Sequence, residues 1–90
     1  MAVCLVISVP GATLEQYEEV RRGLGEPLGE GQLSHVAGAT GDGIHVVDVW
    51  ESKQAFDRFM HEHLGEQLSR AGVSQPQIVE FEVHASEQRG

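Results

Sequence analysis

Strands that are apolar on both faces, in a chain with helices for only one covering layer, constrain this fold more than any other feature. The segment Ala2 to Val9 is almost continuously apolar and rich in β-branched residues. A short apolar run of that kind reads as a buried strand. Val3, Leu5, Ile7 and Val9 line one of its faces, and Ala2, Cys4 and Val6 supply the other. The segment Ile44 to Glu51 repeats the pattern, with Val47 and Val49 opposing Ile44, Val46 and Trp50. Such a sheet needs two layers to cover it. An exposed patch that includes Val6, Val46 and Trp50 exceeds what a soluble monomer usually tolerates, so a second copy, sheet facing sheet, is the expected cover.

The remaining elements follow from local chemistry. Pro10-Gly11 ends the first strand, and Thr13 with Gln16 three residues on has capping-box spacing. Leu14, Tyr17, Val20 and Leu24 then recur at helical spacing, with Glu15 near the start and Arg21 and Arg22 near the end, as the helix dipole favours. Residues 25–32 hold three glycines and Pro27 and read as a loop. A strand from about Leu33 to Ala39 leads to Asp42-Gly43, a strong hairpin signal. Ser52 caps a second helix, whose apolar stripe is Phe56, Phe59, Met60, His63, Leu64, Leu68 and Ala71. Gly72 ends it, and after Pro76 a last strand alternates Val79, Phe81 and Val83 with Glu80, Glu82 and His84. The order βαββαβ predicts an α+β, ferredoxin-like fold: a four-stranded antiparallel sheet with two helices on one face, forming a dimeric α+β barrel. Residues 1–90 read as one domain, with 85–90 a loose tail.

Charge and composition exclude several function classes. Fourteen acidic residues against six basic ones leave a net charge of −8, which repels nucleic-acid phosphates and anionic membrane surfaces. No run approaches the roughly 20 apolar residues that span a bilayer, and no basic segment precedes the first apolar stretch as in a signal peptide. Cys4 is the sole cysteine, so no disulfide framework is expected and a reducing, cytoplasmic setting fits. With so short a chain, oligomerisation is the expected supplement to a small core.

The run Val49-Trp50-Glu51-Ser52-Lys53-Gln54-Ala55-Phe56 resembles the Trp-Glu-Ser-x-x-Ala-Phe signature of the antibiotic-biosynthesis-monooxygenase-like dimeric α+β barrels. Topology and length are similar to that family over about residues 2–84. The resemblance implies the fold and the dimer, and it admits several chemistries: cofactor-free oxygenases of polycyclic aromatics, haem-degrading enzymes, and proteins without known activity. Many relatives carry a histidine at the position occupied here by Phe59. The haem-degrading branch needs a tryptophan there and an iron-ligating histidine at the position of Ser69. Haem is therefore not expected, and no cofactor is.

His35 and Asp48 are the candidate catalytic pair. With Gly41-Asp42 as a two-residue turn, His35 lies opposite Asp48; with Asp42-Gly43 it lies opposite Trp50. In both registers His35, Asp48 and Trp50 share a face. A carboxylate beside an imidazole sets its tautomer and prepares a general base, although the same pair also serves as a cross-strand polar contact in a dimer interface. Trp50, Tyr17, Phe59 and His63 are the expected pocket wall, with His63 on the apolar stripe between helix and sheet. His61 and His63 are two apart on a helix and point about 160° away from each other, so they do not chelate one ion. His45 and His84 lack a local ligand partner, and no metal site is expected. Cys4 reads as packing.

Two functions fit these residues. One is a small homodimer that binds or transforms a hydrophobic, aromatic or polyketide-like compound, with a cofactor-independent oxygenase or cyclase as the activity the resemblance implies. The other is a non-catalytic dimeric module that binds a ligand or partner. A solvent-reachable pocket of about 300 Å³ or more with His35 or His63 pointing into it favours the first.

Overall fold

The computed structural model describes residues 1–25 and 28–89 of the chain. The expected loop over residues 25–32 thus lies partly outside the described residues, at Glu26 and Pro27, as does Gly90 of the expected tail. The elements are β1 (Val3–Pro10), α1 (Leu14–Leu24), β2 (Gln32–Thr40), β3 (Gly43–Trp50), α2 (Lys53–Phe59), a π-helical turn (Met60–Leu64), α3 (Gly65–Arg70) and β4 (Gln77–Glu82). The strands form one antiparallel sheet in the order β2-β3-β1-β4. The ferredoxin-like reading stands.

The helix starts follow the sequence chemistry. Thr13 Oγ1 accepts from Gln16 N–H at 3.1 Å, and Gln16 Oε1 accepts from Thr13 N–H at 3.0 Å, closing the capping box. Ser52 Oγ accepts from Ala55 N–H at 3.1 Å and starts α2. Each satisfies an amide that has no partner inside the helix.

Of the two expected turns, Gly41-Asp42 and Asp42-Gly43, the hairpin takes the first. Thr40 pairs with Gly43, so Gly41 and Asp42 form the turn. The positive φ, 148°, falls on Gly43 at the start of β3. A Cβ on Gly43 would stand 2.3 Å from the Val9 carbonyl oxygen, so a glycine is required at this position. The turn choice selects the register that sets His35 opposite Asp48. At the far end of β2 the pairing shifts between Gln32 and Ser34, a bulge at Leu33.

The second helix is not the unbroken α-helix its apolar spacing suggests. The Gly65 amide donates to the Met60 carbonyl five residues back, and a Cβ on Gly65 would stand 3.0 Å from that oxygen. Met60 and Leu64 line the core side, whereas the His63 side chain is 62% exposed. His63 therefore leaves the apolar stripe to which its spacing had assigned it.

The two faces of the sheet divide as follows. Register places Val3 beside Trp50, Leu5 beside Asp48, Ile7 beside Val46 and Val9 beside Ile44, and this face carries the core with Ala55 and Phe56. Trp50 is fully buried under the helices, which corrects the expectation that Trp50 and Val46 belong to the uncovered patch. The even positions of β3 share a face with the odd positions of β1, so the uncovered valines are Val47 and Val49. The helix-free face presents Cys4, Val6 and Ser8 of β1, with Ser34, Val36, Gly38 and Thr40 of β2. His45, Val47 and Val49 of β3 and Gln77, Val79 and Phe81 of β4 complete it. None of these paired residues is Asp, Glu, Lys or Arg.

Candidate functional site

Three side chains from three elements meet on the helix-covered face. His35 comes from β2 and Asp48 from the neighbouring position of β3, and Tyr17 descends from the inner side of α1. His35 Nδ1 and Asp48 Oδ1 are 2.6 Å apart, and the Tyr17 hydroxyl is 2.6 Å from His35 Nε2. The second oxygen of Asp48 faces the indole N–H of Trp50 at 3.5 Å. Among the described residues no buried side-chain polar atom lacks a partner, which is what allows a carboxylate only 5% exposed to sit in an apolar core.

The direction of this chain follows from donor and acceptor capacity. A carboxylate only accepts, so Nδ1 of His35 carries the hydrogen toward Asp48. In a neutral imidazole Nε2 is then the acceptor, and the Tyr17 hydroxyl donates to it. Burial pushes the Tyr17 phenol above its ordinary range; the Arg21 guanidinium draws it down, and Glu18 and Asp48 push it up. Tyr17 is accordingly a protonated donor at neutral pH. Its oxygen keeps lone pairs for a further partner, whereas both nitrogens of His35 are engaged.

The Tyr17 ring lies parallel to the His35 ring, 5° between planes, and Arg21 stands 5.9 Å from the centre of the Tyr17 ring. Tyr17, His35 and Asp48 line a cavity of about 110 Å³ together with Arg21 and Gln32; its other walls are apolar, chiefly Ile7, Val9, Val20, Ile44, Val46 and Leu68. Phe59, Met60 and Leu64 close it from the second helix. A second, more polar cleft of about 370 Å³ lies beyond Phe59 and includes Arg58, Glu62, His63 and Glu66. Phe59, Leu24 and Gly29 border both spaces.

The sequence-expected site residues distribute unevenly. His35, Asp48 and Tyr17 come together, and Phe59 borders the same cavity. Trp50 packs behind it, its ring 5.0 Å from that of Phe59 and 5.6 Å from that of Phe56. His63 lies in the outer cleft, not between helix and sheet. Sequence reasoning missed the Tyr17–His35 bond, because no local spacing links α1 to β2. It also missed Arg21, although the four-residue interval from Tyr17 on one helix was a usable signal. Elsewhere, the Cys4 thiol is pushed up by burial and by Asp48, which makes it a poor nucleophile. Among the described residues no three His, Cys, Asp or Glu side chains gather as a metal site, and no helix is long and apolar enough to cross a membrane.

No family model and no curated protein matches the sequence. Solved structures do match. A candidate antibiotic biosynthesis monooxygenase of Chloroflexus aurantiacus superposes with a TM-score of 0.71 at 16% identity, covering 100% of both chains. SnoaB, a cofactor-independent oxygenase of Streptomyces nogalater, does so with a TM-score of 0.63 at 15% identity over 94% of each chain. A dimeric ferredoxin-like protein of unknown function from Thermobifida fusca gives 0.65 at 15% identity over 92% of each. At such identities likeness reports architecture and carries no residue roles. The chain has the ferredoxin-like α+β fold of the antibiotic-biosynthesis-monooxygenase-like proteins.

Proposed function

We propose that the protein is a homodimer in which each protomer binds a small hydrophobic compound with an ionisable hydroxyl, and moves its proton through Tyr17, His35 and Asp48. The carrying observation is the polar chain lining a mostly apolar cavity. A bound hydroxyl donates to the Tyr17 oxygen, the Tyr17 proton passes to His35 Nε2, and Asp48 stabilises the resulting imidazolium. Arg21 is the only Lys or Arg among the residues that line this cavity, and it favours the anion left on the ligand. His35, expected as the base in contact with the substrate, becomes a positioning and proton-accepting group one step back, and Tyr17 takes the contact. Phe59 forms part of the wall, with Trp50 packed behind it.

The homodimer is inferred from the charge-free face. In a chain of net charge −8, Val36, Val79, Phe81 and Val47 stand 66%, 65%, 53% and 41% exposed on one side of the sheet. A second copy of the same face covers them without stranding a charge. The dimeric Thermobifida fusca protein supports the same assembly.

A thermal-shift comparison tests the site. Hydroxylated aromatics should raise the melting temperature of the native protein more than that of Tyr17→Phe or His35→Ala. Equal stabilisation of all three proteins would remove the relay from binding. Oxygen consumption with the same compounds then separates turnover from binding alone, the reaction class suggested by SnoaB. One observation favours the second reading, a binding module without catalysis: the cavity that holds His35 is about 110 Å³, below the roughly 300 Å³ common for ligand sites.

A further inference from the structure

We infer that Gln32 is a second point of contact for the ligand. Its side-chain amide N–H donates to an acceptor oxygen, so the compound that fits carries a carbonyl conjugated with its ionisable hydroxyl, as in a hydroxyaryl ketone. The hydroxyl end rests on the proposed contact at Tyr17, whereas Gln32 stands on its own geometry.

A break in strand alternation places the residue. Gln32 and His35 are three positions apart, and on a regular strand they would face opposite sides of the sheet. Yet Gln32 pairs with Trp50 and His35 with Asp48, two positions of β3 that share the helix-covered face. The bulge at Leu33 takes up the extra residue, and Leu33 itself stands 57% exposed. Bulges re-aim side chains and are over-represented next to active sites. Here the bulge makes Gln32 the same-face neighbour of His35, one step of about 7 Å along β2. Both residues line the cavity with Tyr17.

The amide is also held in one orientation. The Gly29 N–H donates to Gln32 Oε1 at 2.8 Å, and the Gln32 N–H donates to the Gly29 carbonyl at 3.0 Å. A backbone N–H only donates, so the side-chain atom that meets it is the oxygen, and the NH2 group is turned away. Gly29 is itself wedged, because a Cβ there would come within 2.8 Å of the Phe59 ring and 3.0 Å of the Trp50 ring. Among the described residues Gln32 Nε2 has no hydrogen-bond partner, and no buried side-chain polar atom there lacks one. The nitrogen is therefore accessible, with its donors unspent.

A fixed neutral donor selects an acceptor oxygen. When the ligand hydroxyl gives up its proton through Tyr17 to His35, the negative charge left behind spreads through a conjugated ring onto the carbonyl oxygen. An N–H already aimed at that oxygen stabilises the charge as it develops. Gln32 is thus a specificity-determining residue.

Calorimetric titration with three probes tests this. They are 4-hydroxyacetophenone, 4-isopropylphenol, in which a methyl group replaces the carbonyl oxygen, and 4-methylacetophenone, in which one replaces the hydroxyl. The native protein should bind 4-hydroxyacetophenone most tightly. A carbonyl also acidifies the phenol, so the decisive quantity is the share of its advantage over 4-isopropylphenol that is lost with Gln32. Gln32→Met, with neither donor nor acceptor, should cut that advantage about tenfold. Gln32→Glu keeps an oxygen for the Gly29 amide, and hence the native melting temperature, but puts a carboxylate oxygen where the donor was. It should bind 4-hydroxyacetophenone no better than Gln32→Met does. If Gln32→Glu retains the native preference, the amide acts only through its clamp on Gly29 and the ligand contact is overturned. It is overturned equally if the native protein does not distinguish the two phenols, or binds none of the probes. If 4-methylacetophenone binds as tightly as 4-hydroxyacetophenone while the effect of Gln32→Met persists, the hydroxyl relay at Tyr17 fails and the Gln32 contact stands.

Discussion

The two faces of the sheet are made of the same residue types and have opposite chemistry. The helix-covered face buries Leu5, Ile7, Ile44, Val46 and Trp50, and it also accepts an ionisable chain, Tyr17–His35–Asp48. The helix-free face is exposed and carries no Asp, Glu, Lys or Arg among its paired residues. A monomeric protein would be expected to show the reverse, with charge on the wet side and none on the dry one. The difference teaches where each face spends its life. Charge on the covered side is tolerable because, among the described residues, every buried side-chain polar atom has a partner, and its absence on the other side is what the proposed contact with a second sheet requires.

The largest effect is expected on the helix-free face. Val47→Asp combined with Val79→Asp would put unpaired carboxylates into each half of a sheet-to-sheet contact, and removing them from water costs several kcal/mol. Sedimentation should show the dimer constant weakened by about 1,000-fold or more. Unchanged association would mean that this face is not the contact.

The next effect lies on the covered face. His35→Ala leaves Asp48 buried with one partner, and urea unfolding should register a loss of about 2–3 kcal/mol. Asp48→Asn combined with His35→Ala should lose less than the sum of the two single changes, because the coupling is shared. Strict additivity would argue that the 2.6 Å contact contributes no pairwise energy.

The smallest effect sharpens the comparison by pH. Burial holds the Tyr17 phenol protonated to a higher pH in the folded chain than in the unfolded one, so the folded state binds more protons between the two values. The stability this contributes is complete below about pH 10 and is lost as pH rises through the folded value. Tyr17 is the only tyrosine, so phenolate absorbance follows it without interference. The native-minus-Tyr17→Phe difference in melting temperature should fall above that pH. Cys4, whose thiol is also pushed up, titrates in both proteins and cancels. A constant difference across the range would place Tyr17 in water.

Much of this architecture was legible in the chain. The capping box at Thr13 and Gln16, the cap at Ser52 and the order βαββαβ are local patterns, and the structure has all three. The His35–Asp48 pairing was legible as one of two registers, because a hairpin couples residues through a turn of countable length. The patch assignment failed for Trp50 and Val46. Apolar alternation in a strand names two faces but cannot say which one meets the helices, since both were apolar here. His63 stands on the exposed side of its helix rather than in the apolar stripe, beside a π turn in which the Gly65 amide reaches Met60, a feature invisible to a count of 3.6 residues per turn.

By itself, then, the sequence determined what depends on neighbours along the chain: where helices begin, that the strands are apolar on both sides, and that one layer of helices leaves a face uncovered. Only the tertiary structure decided what depends on approach in space. It brought Tyr17 from α1 to within 2.6 Å of His35 on β2, and it set Phe59 between a small apolar cavity and a larger polar cleft. The physical reason is that hydrogen bonding and packing act over a few ångströms, whereas these residues are separated by long stretches of chain whose path is settled only when the sheet and its helices close on one another.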